Sequence, residues 1–273
     1  MQLQQAKTRF EKQGIKLAAI SYDTGEILKD FAQRHKIEYS LLADPDSRII
    51  RSFNVFNAEA AGKEKGMAYP GFFYIDSSGV IHEKYFEAKY TNRFTPNSVI
   101  AKLFPELSEE VTGNIEAPHL RLTLKQSDST VVPGSRVTLA VEIELPPDVH
   151  VYAPGVKGYK PVQLTLHGPS GIEFAPAGYP QPKLLYLQSI QEQVPVFEGK
   201  FRISQDVTVP FSHTRDGLRA KLGSEKSITI DGELRYQPCD TRVCYPPGSV
   251  PVSWRLQVSP LDLKRSPEAI QHK

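Results

Sequence analysis

Both cysteines of this 273-residue chain fall in one stretch, Tyr236-Gln237-Pro238-Cys239-Asp240-Thr241-Arg242-Val243-Cys244-Tyr245-Pro246-Pro247. Two thiols at this spacing can form a redox couple, a local staple or half of a metal clip. Fully extended, residues five apart lie roughly 17 Å apart, whereas the Cα atoms of a disulfide lie within about 7 Å, so a bond requires the chain to fold back between them. Asp240-Thr241 offers the turn. Closing so small a loop contributes about 2 kcal/mol by chain entropy, at the low end for disulfides; a staple would gain more by joining distant strands. Pro238 and Pro246-Pro247 fix the backbone and remove donors, which keeps the stretch out of regular central pairing and accessible. Spacing alone leaves an exchanging pair and a static local disulfide both open.

The other chemistries find less support. Structural zinc takes four ligands, commonly in two closely spaced pairs, and only one pair is present. His119, His150, His167 and His213 are scattered through strand and turn segments and read as solvated or hydrogen-bonded side chains, so neither a metal nor a cofactor is expected. No G-x-S-x-G elbow occurs, and the acidic residues read as exposed polar faces. With 33 basic against 31 acidic side chains and a net charge of +2, no large field points to nucleic acid or anionic lipid. No run of about 18 apolar residues is present, and Met1-Gln2-Leu3-Gln4-Gln5-Ala6-Lys7 lacks the basic start and apolar middle of a secretory signal, so no membrane span and no export address are read from the chain.

The elements that must position the pair divide into two kinds. Leu3 to Gln13 reads as an amphipathic helix closed by Gly14, and Ile15 to Ser21 as a nearly continuous apolar run suited to a buried parallel strand. Thr24 can cap a helix through His35, with Ile27, Leu28 and Phe31 on one face. Ser40 to Ala43 is a short strand, Ser47 to Phe53 a helix, and Ala58 to Gly66 a loop. Gly71 to Ile75 and Val80 to Tyr85, joined by Asp76-Ser77-Ser78-Gly79, form a hairpin, and Pro96 to Phe104 is a last helix. This alternation predicts a sheet covered by helices.

Residues 105 to 117 read as a linker. Beyond them His119 to Lys125, Val137 to Leu145, Val162 to Leu166, Phe197 to Ile203, Ile228 to Leu234 and Val252 to Val258 alternate with period two, and most of the 22 prolines punctuate them. Short alternating strands without helices predict an antiparallel sandwich of roughly 140 residues, with Trp254 in its core. The expected domains are 1–104, a linker 105–117, a sandwich 118–260 and a tail 261–273.

Residues 3 to 104 resemble the later part of the thioredoxin-fold redoxins of the peroxiredoxin (AhpC/TSA) type, through "GIKLAAISYDTGEILKDFAQRH", "YSLLADPDSRIIRSFNV" and "YPGFFYIDSSGVIHEKYFE". The resemblance implies a truncated α/β thioredoxin-like domain, with Pro70 at the position of a proline that is cis and packs against the redox cysteine in that family. The family places its nucleophilic cysteine at the start of the helix after the first core strand, where the helix N-terminus lowers the thiol pKa. This chain begins inside that helix and has no such cysteine, so peroxide reduction is not expected of it. A late start codon or a fragment is the corresponding expectation, with the run Leu17 to Ile20 left at an unpaired edge.

Residues 117 to 258 resemble the immunoglobulin-like N-terminal periplasmic domain of DsbD, a thiol-disulfide reductase, through "YQPCDTRVCYPP" and "DVHVYAPGVKGYKPVQLTL". The resemblance implies that Cys244 attacks and Cys239 resolves, with Tyr152, Tyr236, Tyr245 and, in a covering segment Lys183 to Gln188, Tyr186 or Leu185 nearby. That segment lacks the acidic residues of the family's cap. The implied function is an electron relay with thioredoxin-like or other thiol-disulfide proteins in the periplasm. A binding module with an inert disulfide and a fragment of an antioxidant peroxidase are the alternatives.

Overall fold

The structure, a computed structural model, describes residues 2–89, 91–105, 110–187, 191–211, 227–262 and 264–271. His213 and Gln188 therefore lie outside the described residues. The chain divides into two units, Met1–Leu103 with Leu261–Lys273, and Phe104–Pro260.

The first unit is α/β. Its elements are α1 (Gln2–Glu11), β1 (Ala18–Ser21), α2 (Gly25–His35), β2 (Ser40–Ala43), α3 (Arg48–Ser52), β3 (Gly71–Ile75), β4 (Ile81–Phe86), β5 (Arg93–Phe94) and α4 (Pro96–Leu103). Local chemistry sets the boundaries as expected. Gly14 adopts a left-handed φ of 73° after α1, and Thr24 Oγ1 accepts from the Ile27 amide at 3.4 Å to cap α2. Asp44 accepts from the Arg48 and Ile50 amides at 2.9 and 2.8 Å, which starts α3 and holds its own carboxyl below the ordinary range. α1 packs against α4, burying Ala6 and Phe10 with Val99, Ile100 and Ala101.

Four expectations for this unit are corrected. β1 and β2 do pair in parallel, Ala18 opposite Ser40 through Ser21 opposite Ala43, but the run is not buried: Ile20 is 41% and Leu42 43% exposed. A pair of strands has two edges and little neighbouring surface, so an apolar sequence cannot by itself secure burial. The hairpin β3–β4 forms a separate two-stranded sheet instead of joining β1–β2. Among the described residues no peptide bond is cis, so Pro70 is trans; its carbonyl accepts from the Glu87 amide at 3.4 Å, which fits an ordinary strand-entry proline. Residues 261–273, expected as a tail, belong to this unit, where Arg34 Nη2 donates to Ser266 Oγ at 3.1 Å.

The second unit is all β: β6 (Glu110–Ala117), β7 (Leu120–Gln126), β8 (Thr130–Val131), β9 (Ser135–Glu144), β10 (His150–Tyr152), β11 (Gln163–His167), β12 (Glu173–Phe174), β13 (Lys183–Leu187), β14 (Glu192–Glu198), β15 (Lys200–Thr208), β16 (Ser227–Tyr236), β17 (Pro238–Cys239) and β18 (Gly248–Val258). Strands β12-β15-β9-β7-β6 form one sheet and β11-β16-β18-β8 another, and the apolar rows of the two meet in the core. β18 alternates between buried and exposed along its length, and Trp254 in it is 1% exposed, its Nε1 donating to the Lys125 carbonyl at 2.9 Å. Glycine is required at Gly232, where an added Cβ would meet the Thr165 carbonyl at 2.3 Å and close β16 off from β11.

Two strand boundaries differ from the alternation. Phe197 to Ile203 is not one strand, because Gly199 takes a left-handed φ of 61° and separates β14 from β15, which lie in different sheets. Of the expected linker, residues 110–117 form β6 and pair with β7 from Glu110 opposite Gln126 to Ala117 opposite Leu120. Their polar composition matches an edge strand, whose outer row faces water. Among the described residues no helix is long and apolar enough to cross a membrane.

Candidate functional site

A third sheet, β13-β14-β10-β17, carries the cysteines. Its short strand β10 faces two ways. Val151 enters the main core, while His150 and Tyr152, one residue to either side, project from the opposite face, as the pleat requires. On that outer face Tyr152, Val194, Val196 and Cys239 form a separate apolar cluster, covered by Val156, Tyr159, Leu185 and Leu187. Cys239 is placed there by β17, whose Pro238 and Cys239 pair with Val151 and His150.

The chain then reverses within six residues. The Asp240 amide donates to the Val243 carbonyl at 2.9 Å and the Tyr245 amide to the Pro238 carbonyl at 2.9 Å, so Cys239 and Cys244 oppose each other as a non-hydrogen-bonded pair, the kind whose side chains approach most closely. They are joined by a disulfide with Cα atoms 4.0 Å apart. Asp240 organises the turn: Oδ1 accepts from the Arg242 and Val243 amides at 2.7 and 2.8 Å, and Oδ2 accepts from the Tyr245 hydroxyl at 2.7 Å. These bonds, led by that of Tyr245, lower the Asp240 pKa to about 2, and the same bond raises that of Tyr245. His119 stacks on the Tyr245 ring with centroids 3.9 Å apart.

The two sulfurs differ in access. Cys239 is 1% exposed within the cluster, whereas Cys244 is exposed to solvent. The Tyr152 hydroxyl lies 3.9 Å from Cys244 Sγ, and the Tyr152 ring stacks on Tyr159 at 4.2 Å; burial raises the pKa of both phenols. Exposure thus distinguishes the two cysteines of the bond, Cys244 toward solvent and Cys239 within the cluster.

Of the residues singled out from sequence, Cys239, Cys244, Tyr152 and Tyr245 come together. Tyr236 belongs to the main core instead, its hydroxyl donating to the Pro118 carbonyl at 2.9 Å. Tyr186 pairs with Gln193 on the face away from the cluster and is 53% exposed, while Leu185, opposite Val194, covers the cluster. Pro70 belongs to the first unit and the cysteine pair to the second. Sequence reading missed Tyr159 and took Asp240 for a turn residue only, and it took His150 for a solvated or hydrogen-bonded side chain, whereas it is 4% exposed and its Nε2 has no hydrogen-bond partner among the described residues. The alternation His150-Val151-Tyr152 carried the signal for His150.

Fold and site thus define a two-domain chain, an α/β unit of thioredoxin-like type followed by an immunoglobulin-like β-sandwich that presents a local disulfide. Residues 1–84 match the sequence model of the AhpC/TSA family, and residues 122–252 match that described as "Thiol:disulfide interchange protein DsbD, N-terminal". Alkyl hydroperoxide reductase C from two strains of Staphylococcus epidermidis is 31% identical over 83 residues, 29% of this chain. The chain spans 41% of the length of these curated relatives. Among solved structures, the N-terminal periplasmic domain of ScsB from Proteus mirabilis aligns with a TM-score of 0.37 at 15% identity, over 55% of this chain and 52% of that one. The Neisseria meningitidis DsbD N-terminal domain in the reduced form aligns with a TM-score of 0.26 at 11% identity, over 44% and 82%.

Proposed function

We propose that this chain carries out thiol-disulfide exchange through Cys239 and Cys244, as an electron relay to thioredoxin-like or other thiol-disulfide proteins. The observation that carries the reading is the asymmetry of the bond, an exposed Cys244 joined to a buried Cys239 inside a turn held by Asp240. In the reduced state the Cys244 thiolate attacks a partner disulfide and forms a mixed disulfide; Cys239 then attacks Cys244 Sγ, closes the intramolecular bond and releases the partner as a dithiol. The match of residues 122–252 to the family described as "Thiol:disulfide interchange protein DsbD, N-terminal" supports exchange, and an exchanging pair belongs to an oxidising compartment, for which we propose the periplasm. The redoxin-like unit contributes no cysteine, so peroxide reduction is not expected of this chain. Equilibration with glutathione buffers tests the reading. An exchange pair has a midpoint between about −270 and −120 mV, and a pair that stays oxidised below about −300 mV is a static staple.

A further inference from the structure

One row of side chains crosses the outer face of the cysteine-bearing sheet. Glu198 of β14 stands opposite His150 of β10, His150 opposite Cys239 of β17, and Cys239 opposite Cys244. Directly opposed residues of an antiparallel pair project to the same face with Cβ atoms about 5 Å apart, so an imidazole flanks the buried cysteine on the side away from its disulfide partner. The Nε2 of His150 is buried and has no hydrogen-bond partner among the described residues. A buried polar atom without a partner is costly, so the ring nitrogen is poised to take one. The ring of Tyr152 packs edge-on against it with centroids 5.5 Å apart, which restricts the imidazole.

Building on the exchange reading above, we propose that His150 is the proton acceptor and donor of the resolving cysteine, Cys239. In the mixed disulfide the Cys239 thiol passes its proton to His150 Nε2. The resulting thiolate attacks Cys244 Sγ, the bond from Cys244 to the partner sulfur breaks, and its electron pair leaves on that sulfur as thiolate. The Cys239–Cys244 disulfide forms and the partner ends as a dithiol, two electrons richer. In reverse, when a partner thiolate attacks Cys244, the Cys239 thiolate leaves and is protonated through His150, which takes up that proton from water. On β10 the titratable side chains on the face of Cys239 are His150, directly opposite it, and Tyr152, in the same cluster, whose phenol pKa is pushed up by burial, which leaves the imidazole as the base. Burial pushes the His150 pKa below 6.5, and the charges of Glu198 and Asp240 oppose that shift. Glu198 in turn is paired with Lys183 at 3.5 Å, and Tyr152 is the remaining titratable group beside the ring. The imidazole is therefore a neutral base near pH 7.

The fully reduced chain, mixed with an equimolar aromatic disulfide such as 5,5′-dithiobis(2-nitrobenzoate), releases one coloured thiolate when Cys244 attacks and a second when Cys239 resolves. The wild-type second phase is expected to reach its plateau below pH 7. His150→Gln leaves the first phase within about twofold and slows the second about a hundredfold at pH 7, the usual worth of a general base. Its second phase then rises up to the range of an ordinary thiol, near pH 8.5. Glu198→Gln, a change at a partly exposed carboxylate that leaves the fold intact, moves the midpoint of the wild-type second-phase profile to lower pH. A second phase whose rate and pH profile are the same in both variants as in the wild type overturns the role of His150. A wild-type chain that releases no thiolate in either phase defeats the exchange reading itself.

Discussion

At the scale of the residue, the site depends on how one carboxylate closes a six-residue loop. Asp240 satisfies two turn amides and fixes the Tyr245 hydroxyl, so that hydrogen bonds as well as the disulfide close the loop. Asp240→Ala removes all three bonds and is expected to make the disulfide easier to reduce, with the glutathione midpoint moving to a less negative value. The pH dependence has a definite sign. Asp240 has a folded-state pKa of about 2, below its ordinary 3.8, so its contribution is present above about pH 4 and is lost as pH falls toward 2. The stability difference between the oxidised wild type and Asp240→Ala, followed by thermal unfolding, should therefore shrink across that window and stay constant above it.

At the scale of the element, the pleat decides which side chains guard the bond. β13 places Leu185 and Leu187 over the cluster and turns Leu184 and Tyr186 outward. Leu185→Ala should speed reduction by dithiothreitol by about fivefold to tenfold, the equivalent of about 1–1.4 kcal/mol of lost cover packing. Tyr186→Ser, one residue away on the opposite face, should change that rate by less than about twofold, because it removes nothing from the cluster. Equal effects from the two substitutions would contradict the registered pairing of β13 with β14. β10 works by the same alternation, serving the main core through Val151 and the cysteines through its two neighbours.

At the scale of the molecule, the two units differ in how completely their apolar residues are covered. The sandwich buries Trp254, Leu122, Leu139, Ile143 and Ile230 to 1% exposure or less. In the first unit Ile20, Leu42, Ile75 and Ile81 are all more than 40% exposed, on two small sheets that do not join. Exposed apolar residues along unpaired strand edges favour association between chains. The double substitution Ile20→Thr with Leu42→Thr is expected to raise the concentration at which the chain stays monodisperse in light scattering, while the redox midpoint of Cys239–Cys244 stays unchanged.

The sequence by itself determined the alternating strands of the sandwich, the core position of Trp254 and the turn at Asp240, because period two, side-chain volume and short-range hydrogen bonding act between residues close along the chain. It also held the cysteine motif, since both thiols lie in one stretch. Only the tertiary structure decided that Glu198, His150, Cys239 and Cys244 stand in one row, because strand register joins residues that have no local relation to one another. The exposure of Ile20 and Leu42 is of the same kind: an apolar side chain is buried only where another surface arrives to cover it.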